Sequence, residues 1–197
     1  LTAGKATLTV AANNETREYG TANPTFTPMY NGFRNGEDIS KINKTGDPSF
    51  STLATITSDV DVYDITADVS ALSSKNYQFA ARSNKGTLTV GKATLTVAAN
   101  DEVREYGEEN PVFSPVYNGF RNGENLAAIN MTGTPSFSTL GTKSADAGTY
   151  AIDANVSALS SRNYAFAPRA NKGSLIITKA LLTVTANDTS RNYGSQN

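Results

Sequence analysis

The chain repeats itself every 87 residues, and this feature limits its possible folds more than any other. The segment Lys-Ala-Thr-Leu-Thr-Val begins at Lys5 and again at Lys92, and its close relative Lys-Ala-Leu-Leu-Thr-Val begins at Lys179, so these lysines are 87 positions apart. No insertion or deletion interrupts the register. One module copied at constant length is typical of proteins that span a distance or present several identical surfaces.

The period divides the 197 residues into two complete modules flanked by partial ones. We predict an end of a preceding repeat, module one, module two and the first strand of a truncated third repeat, at residues 1–4, 5–91, 92–178 and 179–197. At 87 residues each module can bury a small core of its own, which makes contacts with neighbouring modules important for stability.

The links between modules are too short to be flexible. Only Gly91 separates the strand that ends at Val90 from the strand that begins at Lys92, and Thr178 takes the place of Gly91 at the next junction. Such a connection couples the orientation of successive modules, so we predict an end-to-end rod. Because an unpaired strand would fray, we also expect the strand that begins at Lys179 to dock on module two or on a neighbouring chain.

Composition removes several classes of function. The chain contains no cysteine, histidine or tryptophan, which excludes disulfides, thiolate chemistry and the usual imidazole base or metal ligand. Seventeen basic and eighteen acidic residues nearly cancel, so no basic face predicts nucleic acid as a partner. No apolar run approaches the ~18 residues of a membrane helix, and we therefore expect no membrane insertion of this segment.

Alternating apolar and polar residues predict a mostly β module. In Tyr63–Val69 the residues at 63, 65, 67 and 69 are apolar while aspartate and threonine lie between them, and module two repeats this pattern at Tyr150–Val156. Five or six such strands are expected in each module. One short helix is predicted at Glu37–Ile42, which favours a β-grasp-like module, while strand number and turn spacing also fit an immunoglobulin-like β-sandwich.

A set of short motifs recurs in fixed order in both modules. Module one contains Tyr19-Gly20-x-x-Asn23-Pro24-x-Phe26, Tyr30-Asn-Gly-Phe33, Asn35-Gly36-Glu37, Gly46-x-Pro48-x-Phe50, Asn76-Tyr77 and Gly86-Thr-Leu-Thr-Val90. With these motifs the chain resembles the MBG family of bacterial surface-protein repeats, the type marked by a Tyr-Gly-x signature. The resemblance covers both modules and reaches Tyr193-Gly194 of the third. It implies an extracellular location, secreted or at the bacterial cell surface, in a large adhesin, and no catalytic residues.

Clusters of acidic residues raise the possibility of calcium, the one cofactor that the sequence suggests, because this ion takes six to eight oxygen ligands. Asp59, Asp61 and Asp64 lie close together in module one, and Asp101 and Glu102 lie near the start of module two. The alternative interpretation is that these side chains are solvated strand residues or form turns through Asx hydrogen bonds. No catalytic or cofactor-binding residue is predicted.

Charged residues that both modules retain are candidates for a binding surface. They are Arg17, Glu18, Arg34, Arg104, Glu105 and Arg121. These charges suggest partners beyond the neighbouring repeats of the same chain, such as a glycan, a matrix component or a host surface protein.

Two hypotheses about function follow. The favoured hypothesis is a structural stalk without enzymatic activity, in which repeated modules project or link the adhesive region of a surface adhesin, for example in a biofilm. In the alternative, each module is itself a glycan- or protein-binding unit, and repetition supplies avidity. An enzyme is the least supported interpretation, because paired carboxylates such as Glu108-Glu109 lie in predicted turns without a histidine or a phosphate-binding glycine loop.

Overall fold

A computed structural model describes residues 3–194 and 196, and it confirms a mostly β, tandem arrangement of two modules. The strands of module one are β1 (Ala6–Ala12), β2 (Glu15–Glu18), β3 (Pro28–Asn31), β4 (Ser49–Thr52), β5 (Asp61–Asp68), β6 (Tyr77–Ala81) and β7 (Gly86–Gly91). Those of module two are β8 (Ala93–Ala99), β9 (Glu102–Glu105), β10 (Pro115–Asn118), β11 (Ser136–Thr139), β12 (Gly148–Asn155), β13 (Tyr164–Pro168) and β14 (Gly173–Thr178). The described part of the chain has no helix that is long and apolar enough to cross a membrane.

Each module contains two sheets, and every strand ladder described joins strands of the same module. In the three-stranded sheet, β1 lies between β3 and β6, antiparallel to the first and parallel to the second. The four-stranded sheet has the order β2-β7-β5-β4, with β2 and β7 parallel and the other neighbours antiparallel. Module two repeats both sheets as β10-β8-β13 and β9-β14-β12-β11.

The chain passes from one sheet to the other at Asn13 and Asn14. The main-chain N–H of Asn13 donates to the carbonyl of Thr27 at 2.9 Å, and the side-chain Oδ1 of Asn14 accepts from the N–H of Thr87 at 3.0 Å. The alternating residues of β1 and β7, among them Leu8 and Leu88, are fully buried. Leu8 packs in a buried cluster with Ile42 and Tyr77, and Leu88 packs in another with Ala12, Ala54 and Ile65, as alternation in half-buried strands predicts.

The prediction of a helix at Glu37–Ile42 is wrong, and so is the prediction of a β-grasp-like module that rested on it. This segment forms turns: the N–H of Lys41 donates to the carbonyl of Asp38, and Asn43 has a φ of 46°, which ends any right-handed run. Ile42 is buried, whereas Ile39 is 36% exposed, so the two isoleucines do not form one helical face. A single turn is sufficient to place Ile42 in the core.

The expected first strand of the third repeat is also absent, since residues 179–194 contain no strand. Leu182 is 87% exposed, whereas its counterparts Leu8 and Leu95 are fully buried, so the expected docking on module two is not seen among the described residues. The reason lies in the ladders: β1 and β8 pair with strands that follow them within their own modules. The Lys-Ala strand therefore belongs to the module that it opens, and docking on a neighbouring chain remains a prediction.

Candidate functional site

The candidate site is the joint between the two modules. Lys92 alone separates β7 from β8, and the residues on both sides of it are fixed by hydrogen bonds. The N–H of Tyr19 donates to the carbonyl of Gly91 at 2.8 Å, while the N–H of Ala93 donates to the carbonyl of Asn163 at 3.0 Å. The Lys92 ammonium donates to the carbonyl of Ser161 at 2.7 Å. The link is thus held to module one on one side and to module two on the other.

Tyr19 is the centre of the contact on the side of module one. Its side chain is only 3% exposed, because its ring packs edge-on against the ring of Tyr164, with centroids 5.7 Å apart and an interplanar angle of 74°. The hydroxyl donates to Glu124 Oε1 at 2.7 Å. An edge-to-face ring pair stabilises by about 0.5–1.5 kcal/mol beyond burial, and a hydrogen bond to a charged group by about 1.5–3 kcal/mol.

Glu124 accepts hydrogen bonds from two tyrosines, one from each module. Besides Tyr19, the hydroxyl of Tyr164 donates to Glu124 Oε2 at 2.5 Å and itself accepts from the N–H of Arg121 at 2.8 Å. Burial, followed by the hydrogen bond to Glu124, raises the pKa of Tyr164 to about 12 and also raises the pKa of Tyr19. Both phenols therefore remain donors at any physiological pH.

A second contact joins the loop before β5 to the segment before β13. Asp59 Oδ1 accepts from Asn163 Nδ2 at 2.7 Å, and Asp59 Oδ2 lies 2.9 Å from Arg162 Nη1. The side-chain oxygen of Asn163 in turn accepts from the N–H of Val60 at 3.0 Å. Because Asn163 uses both ends of its amide across the joint, this contact fixes rotation as well as distance between the modules.

Apolar side chains complete the joint. Tyr19 and Val90 of module one share one buried cluster with Ala93, Leu95, Ile129 and Tyr164 of module two. A cluster that takes residues from both modules means that separating them would expose apolar surface, at about 25 cal/mol for each Å².

The glycine of the Tyr-Gly motif is required here for two reasons. Gly20 has a φ of +76°, a conformation that residues with a side chain rarely adopt, and a Cβ on it would lie 2.4 Å from the Cβ of Arg121.

An exposed ion pair also crosses the joint: Arg121 Nη2 lies 3.5 Å from Glu18 Oε2, and this pair contributes little to stability. We call Glu18, Tyr19, Gly20, Asp59 and Val60 the plug.

The facing surface of module two is the socket. Its residues converge from two segments, the turn before the buried Ile129 and the start of β13. They are Arg121, Glu124, Arg162, Asn163 and Tyr164.

Arg17 forms a clamp behind the plug. Its guanidinium donates through Nε to Asn23 Oδ1 at 2.7 Å and through Nη2 to the carbonyl of Thr55, while Asn23 Nδ2 donates to the carbonyl of Ala54 at 2.7 Å. The arginine and the asparagine of the Arg-x-Tyr-Gly-x-x-Asn motif thus hold the loop that leads to Asp59. Arg17 is 8% exposed, so it is buried and not the surface residue that the sequence suggested.

Module two repeats the clamp. Arg104 donates to Asn110 Oδ1 at 2.6 Å and to the carbonyl of Thr142 at 2.5 Å, and Asn110 donates to the carbonyl of Gly141 at 2.8 Å. At 6% exposure Arg104 is likewise buried, contrary to the prediction. Both arginines are buried, and their donors bond to backbone carbonyls and to an asparagine side chain. A pattern of charges in the sequence does not reveal this structural role.

The other charged candidates are not gathered on one binding face. Glu18 and Arg121 oppose each other across the joint, 3.5 Å apart. Glu105 and Arg34 are their counterparts at the outer ends of the two modules, and both are exposed there. The structure thus assigns the first pair to the contact between modules.

The calcium candidates of module one have other partners. Asp59 binds Asn163 and Arg162, Asp61 Oδ1 accepts from the N–H of Val62 at 2.8 Å, and Asp64 Oδ2 lies 3.0 Å from Lys85 Nζ.

In module two, Asp101 Oδ1 accepts from the N–H of Ser174 at 2.8 Å, and Glu102 accepts from the side-chain amide of Asn100. Hydrogen bonding to Ser174 lowers the pKa of Asp101. Among the described residues, no three acidic side chains are grouped as a metal site would require.

Sequence reasoning did not identify the plug and the socket. The sequence suggests Asp59 as a calcium candidate and Tyr19 as part of a recurring Tyr-Gly motif, and neither as part of an interface between modules. The signal was present in the pairing of motifs: both copies keep a Tyr-Gly turn, an Asn-Gly-Glu turn and an Asn-Tyr pair, each of which presents a polar group that an isolated core would not require.

The fold and the joint together define the class of protein: tandem all-β repeat modules that pack end against end through a specific interface. The profile of the MBG domain (YGX type) family matches residues 8–89 and again residues 95–175. The chain therefore belongs to this family, with one domain in each module, and the Tyr-Gly of the family signature corresponds to the plug. No curated protein matches the chain in sequence.

Proposed function

We propose that the chain is a non-catalytic stalk segment of a large bacterial adhesin, secreted or held at the cell surface, in which repeated modules project or link an adhesive region. The observation that supports this proposal most is the joint, where one buried cluster and several hydrogen bonds join adjacent modules. An enzyme or a flexible array of binding units would not need neighbouring modules fixed in this way. A stalk does, because its length depends on a constant angle at each link.

Three further observations support the same proposal. Family membership makes each module a repeat unit of the kind found in surface proteins. The charges that both copies keep at Arg17 and Arg104 are used to hold loops within each module, not to present a ligand surface. The chain contains no cysteine, which suits a protein exposed to oxygen.

The distance distribution between the two modules tests the proposal. Leu53 and Leu140 are equivalent, 93% and 87% exposed, and since the chain has no cysteine, Leu53→Cys with Leu140→Cys allows selective spin labelling. Pulsed electron paramagnetic resonance is expected to give one narrow distance peak. In the same labelled chain, Tyr19→Ala is expected to broaden it.

The matched control is Tyr106→Ala, which changes the equivalent tyrosine of module two outside the joint. We expect this variant to keep the narrow peak. A broad distribution in the unchanged chain would contradict the stalk, because freely moving modules cannot set a length. The alternative, that each module is a separate glycan- or protein-binding unit, remains a prediction.

A further inference from the structure

The first and the last part of each module run side by side in the same direction. In module one, β1 pairs in parallel with β6 over five residue pairs that begin at Ala6. Further along the same path, β2 pairs in parallel with β7 over four residue pairs that end at Gly91. We call residues 6–18 the entry segment and residues 77–91 the exit segment of module one.

Two hydrogen bonds bridge the interval between these parallel ladders. The N–H of Arg82 donates to the carbonyl of Val10 at 2.8 Å, and the N–H of Thr87 donates to Asn14 Oδ1 at 3.0 Å. The chain changes sheets in this interval, so the bonds hold the entry segment to the exit segment where neither ladder reaches. The two segments are therefore connected along most of their length.

Module two repeats this arrangement. Strand β8 pairs in parallel with β13 over five residue pairs, and β9 pairs in parallel with β14 over four. In the interval between the ladders, the N–H of Arg169 donates to the carbonyl of Val97 at 2.8 Å, and the N–H of Ser174 donates to Asp101 Oδ1 at 2.8 Å. The parallel entry and exit segments are thus a property of the repeat unit.

Tension along the chain pulls the two segments of a module in opposite directions. Force enters module one at the start of β1 and leaves it at the end of β7, where Lys92 passes it to β8. The entry segment is then pulled backward and the exit segment forward, each along its own axis. All residue pairs of both ladders carry this load together, whereas a strand that is lifted from one end loses its pairs one at a time.

The core resists sliding of one segment along the other. Leu8 and Val10 of the entry segment are fully buried, as is Leu88 of the exit segment, and Val90 is 1% exposed. Because side chains alternate between the two faces of a strand, a slip of one residue would turn these side chains from the core to solvent. A slipped state therefore loses apolar burial as well as hydrogen bonds.

We propose that the parallel entry and exit segments make each module a tension-bearing unit, which unfolds under end-to-end load only when both of its parallel ladders break together. The inference rests on the proposed function for the direction of the load, because a stalk is pulled at its two ends. The joint fixes the angle between modules, while the ladders resist extension within each module. Since Lys92 alone separates β7 from β8, tension passes from one set of ladders directly to the next.

Pulling the chain in two directions with optical tweezers tests the proposal. Because the chain has no cysteine, introduced cysteines define where the handles attach. Gly4→Cys with Lys179→Cys places the handles just before β1 and just after β14, so the load crosses both modules lengthwise. Ala147→Cys with Lys179→Cys places them beside Gly148 and Ile177, which pair at one end of the antiparallel ladder between β12 and β14. This second load opens the ladder from that end, and all three substituted positions are exposed.

The lengthwise pull is expected to unfold the chain in two steps, one for each module. Each step should add about 250 Å, because a module extends from a folded length of about 40 Å to about 290 Å. The second pull is expected to release the segment between its handles, which adds about 100 Å. At equal pulling speed it should need a force at least about threefold lower, because its hydrogen-bonded pairs carry the load one at a time.

Circular dichroism checks that both cysteine pairs leave the fold intact, and if Ala147→Cys does not fold, the exposed Thr149→Cys takes its place. Equal forces in the two directions, or lengthwise unfolding through many small steps, would overturn the proposal. The stalk is tested separately by the distance between spin labels without load. A narrow distance peak with a low lengthwise force would overturn the tension-bearing unit alone, and a broad distribution with a high lengthwise force would overturn the stalk alone.

Discussion

Replacing Tyr19 by alanine is the most direct test of the joint, because the repeat supplies its own control. Tyr19 and Tyr106 have the same neighbours in sequence and the same backbone anchor, but only Tyr19 contacts a following module. Tyr19→Ala therefore removes intramodular packing and the joint together, whereas Tyr106→Ala removes intramodular packing alone. The difference between the two variants isolates the contribution of the joint.

The size of this difference follows from burial and bonding. Tyr19 is 3% exposed and Tyr106 is 47% exposed, a difference of 44 percentage points. On a tyrosine of about 200 Å² this is roughly 90 Å², or about 2 kcal/mol at 25 cal/mol for each Å². The ring pair with Tyr164 adds about 1 kcal/mol and the hydrogen bond to Glu124 about 1.5 kcal/mol. We expect Tyr19→Ala to cost about 4.5 kcal/mol more than Tyr106→Ala.

Urea unfolding followed by far-ultraviolet circular dichroism measures the effect. The unchanged chain is expected to unfold in one cooperative transition, because the modules share a core cluster. In Tyr19→Ala the modules are expected to unfold separately, with a lower m value because each transition exposes less surface. Tyr106→Ala is expected to keep the single transition.

Equal shifts of the midpoint in both variants would refute the reasoning, since they would mean that the contact across the joint adds nothing to the packing within module one. An unchanged m value in Tyr19→Ala would refute the claim of coupling even if the midpoint fell. Glu124→Gln provides an independent check, because it weakens the hydrogen bonds to both tyrosines without changing the volume of the side chain.

Three further predictions concern the glycine, the clamp and pH. Gly20→Ala is expected to destabilise the chain by at least ~1 kcal/mol more than Gly107→Ala in thermal unfolding, because both strain a positive φ but only the first meets a neighbouring module; equal losses would contradict this. Asn23→Ala is expected to cost about 1–3 kcal/mol in urea unfolding, because it leaves a buried guanidinium donor without its partner, and a neutral effect would refute the clamp. Because the pKa of Tyr164 is raised to about 12 from an unfolded value of about 10, its stabilisation is complete below pH ~10 and is lost as pH rises toward 12; tyrosinate absorbance should show its late ionisation, and ionisation at pH ~10 in the folded chain would contradict the prediction.

Strands with a strictly alternating pattern could be predicted from sequence, and the reason is visible in β5. Ile65 is fully buried while Asp64 and Thr66 on either side are exposed, so one face alone decides the pattern. The edge strand β2 was not predicted, because its sequence Glu-Thr-Arg-Glu has no apolar residue. Its inward residue is Arg17, whose burial depends in part on the Thr55 carbonyl, 38 residues away in the chain, which accepts one of its hydrogen bonds. No local pattern contains that information.

The prediction of a helix failed for a related reason. Ile39 and Ile42 have helical spacing, but only Ile42 reaches the core, and hydrogen bonds between Thr45 and Ser73 fix the chain immediately after the turn. A contact across 28 residues of sequence thus overrides a weak local preference. The link between the modules is one residue long, as the sequence predicts. The sequence also leads us to expect that the strand at Lys179 docks on module two or on a neighbouring chain. The equivalent strands β1 and β8 pair with β6 and β13, later strands of the modules that they open, and only the sheet topology reveals this.

The constant period has a physical reason in the joint. The plug is built from the turn after β2 and the loop before β5, and the socket from the turn after β10 and the start of β13. An insertion in the turn after β2 or in the loop before β5 would displace Tyr19 or Asp59, and one in the turn after β10 or just before β13 would displace Glu124 or Asn163, so that one of the two contacts would break. Length is therefore constrained in the loops, where a single globular domain would tolerate change most easily. The 87-residue register is a property of the joint as much as of the module.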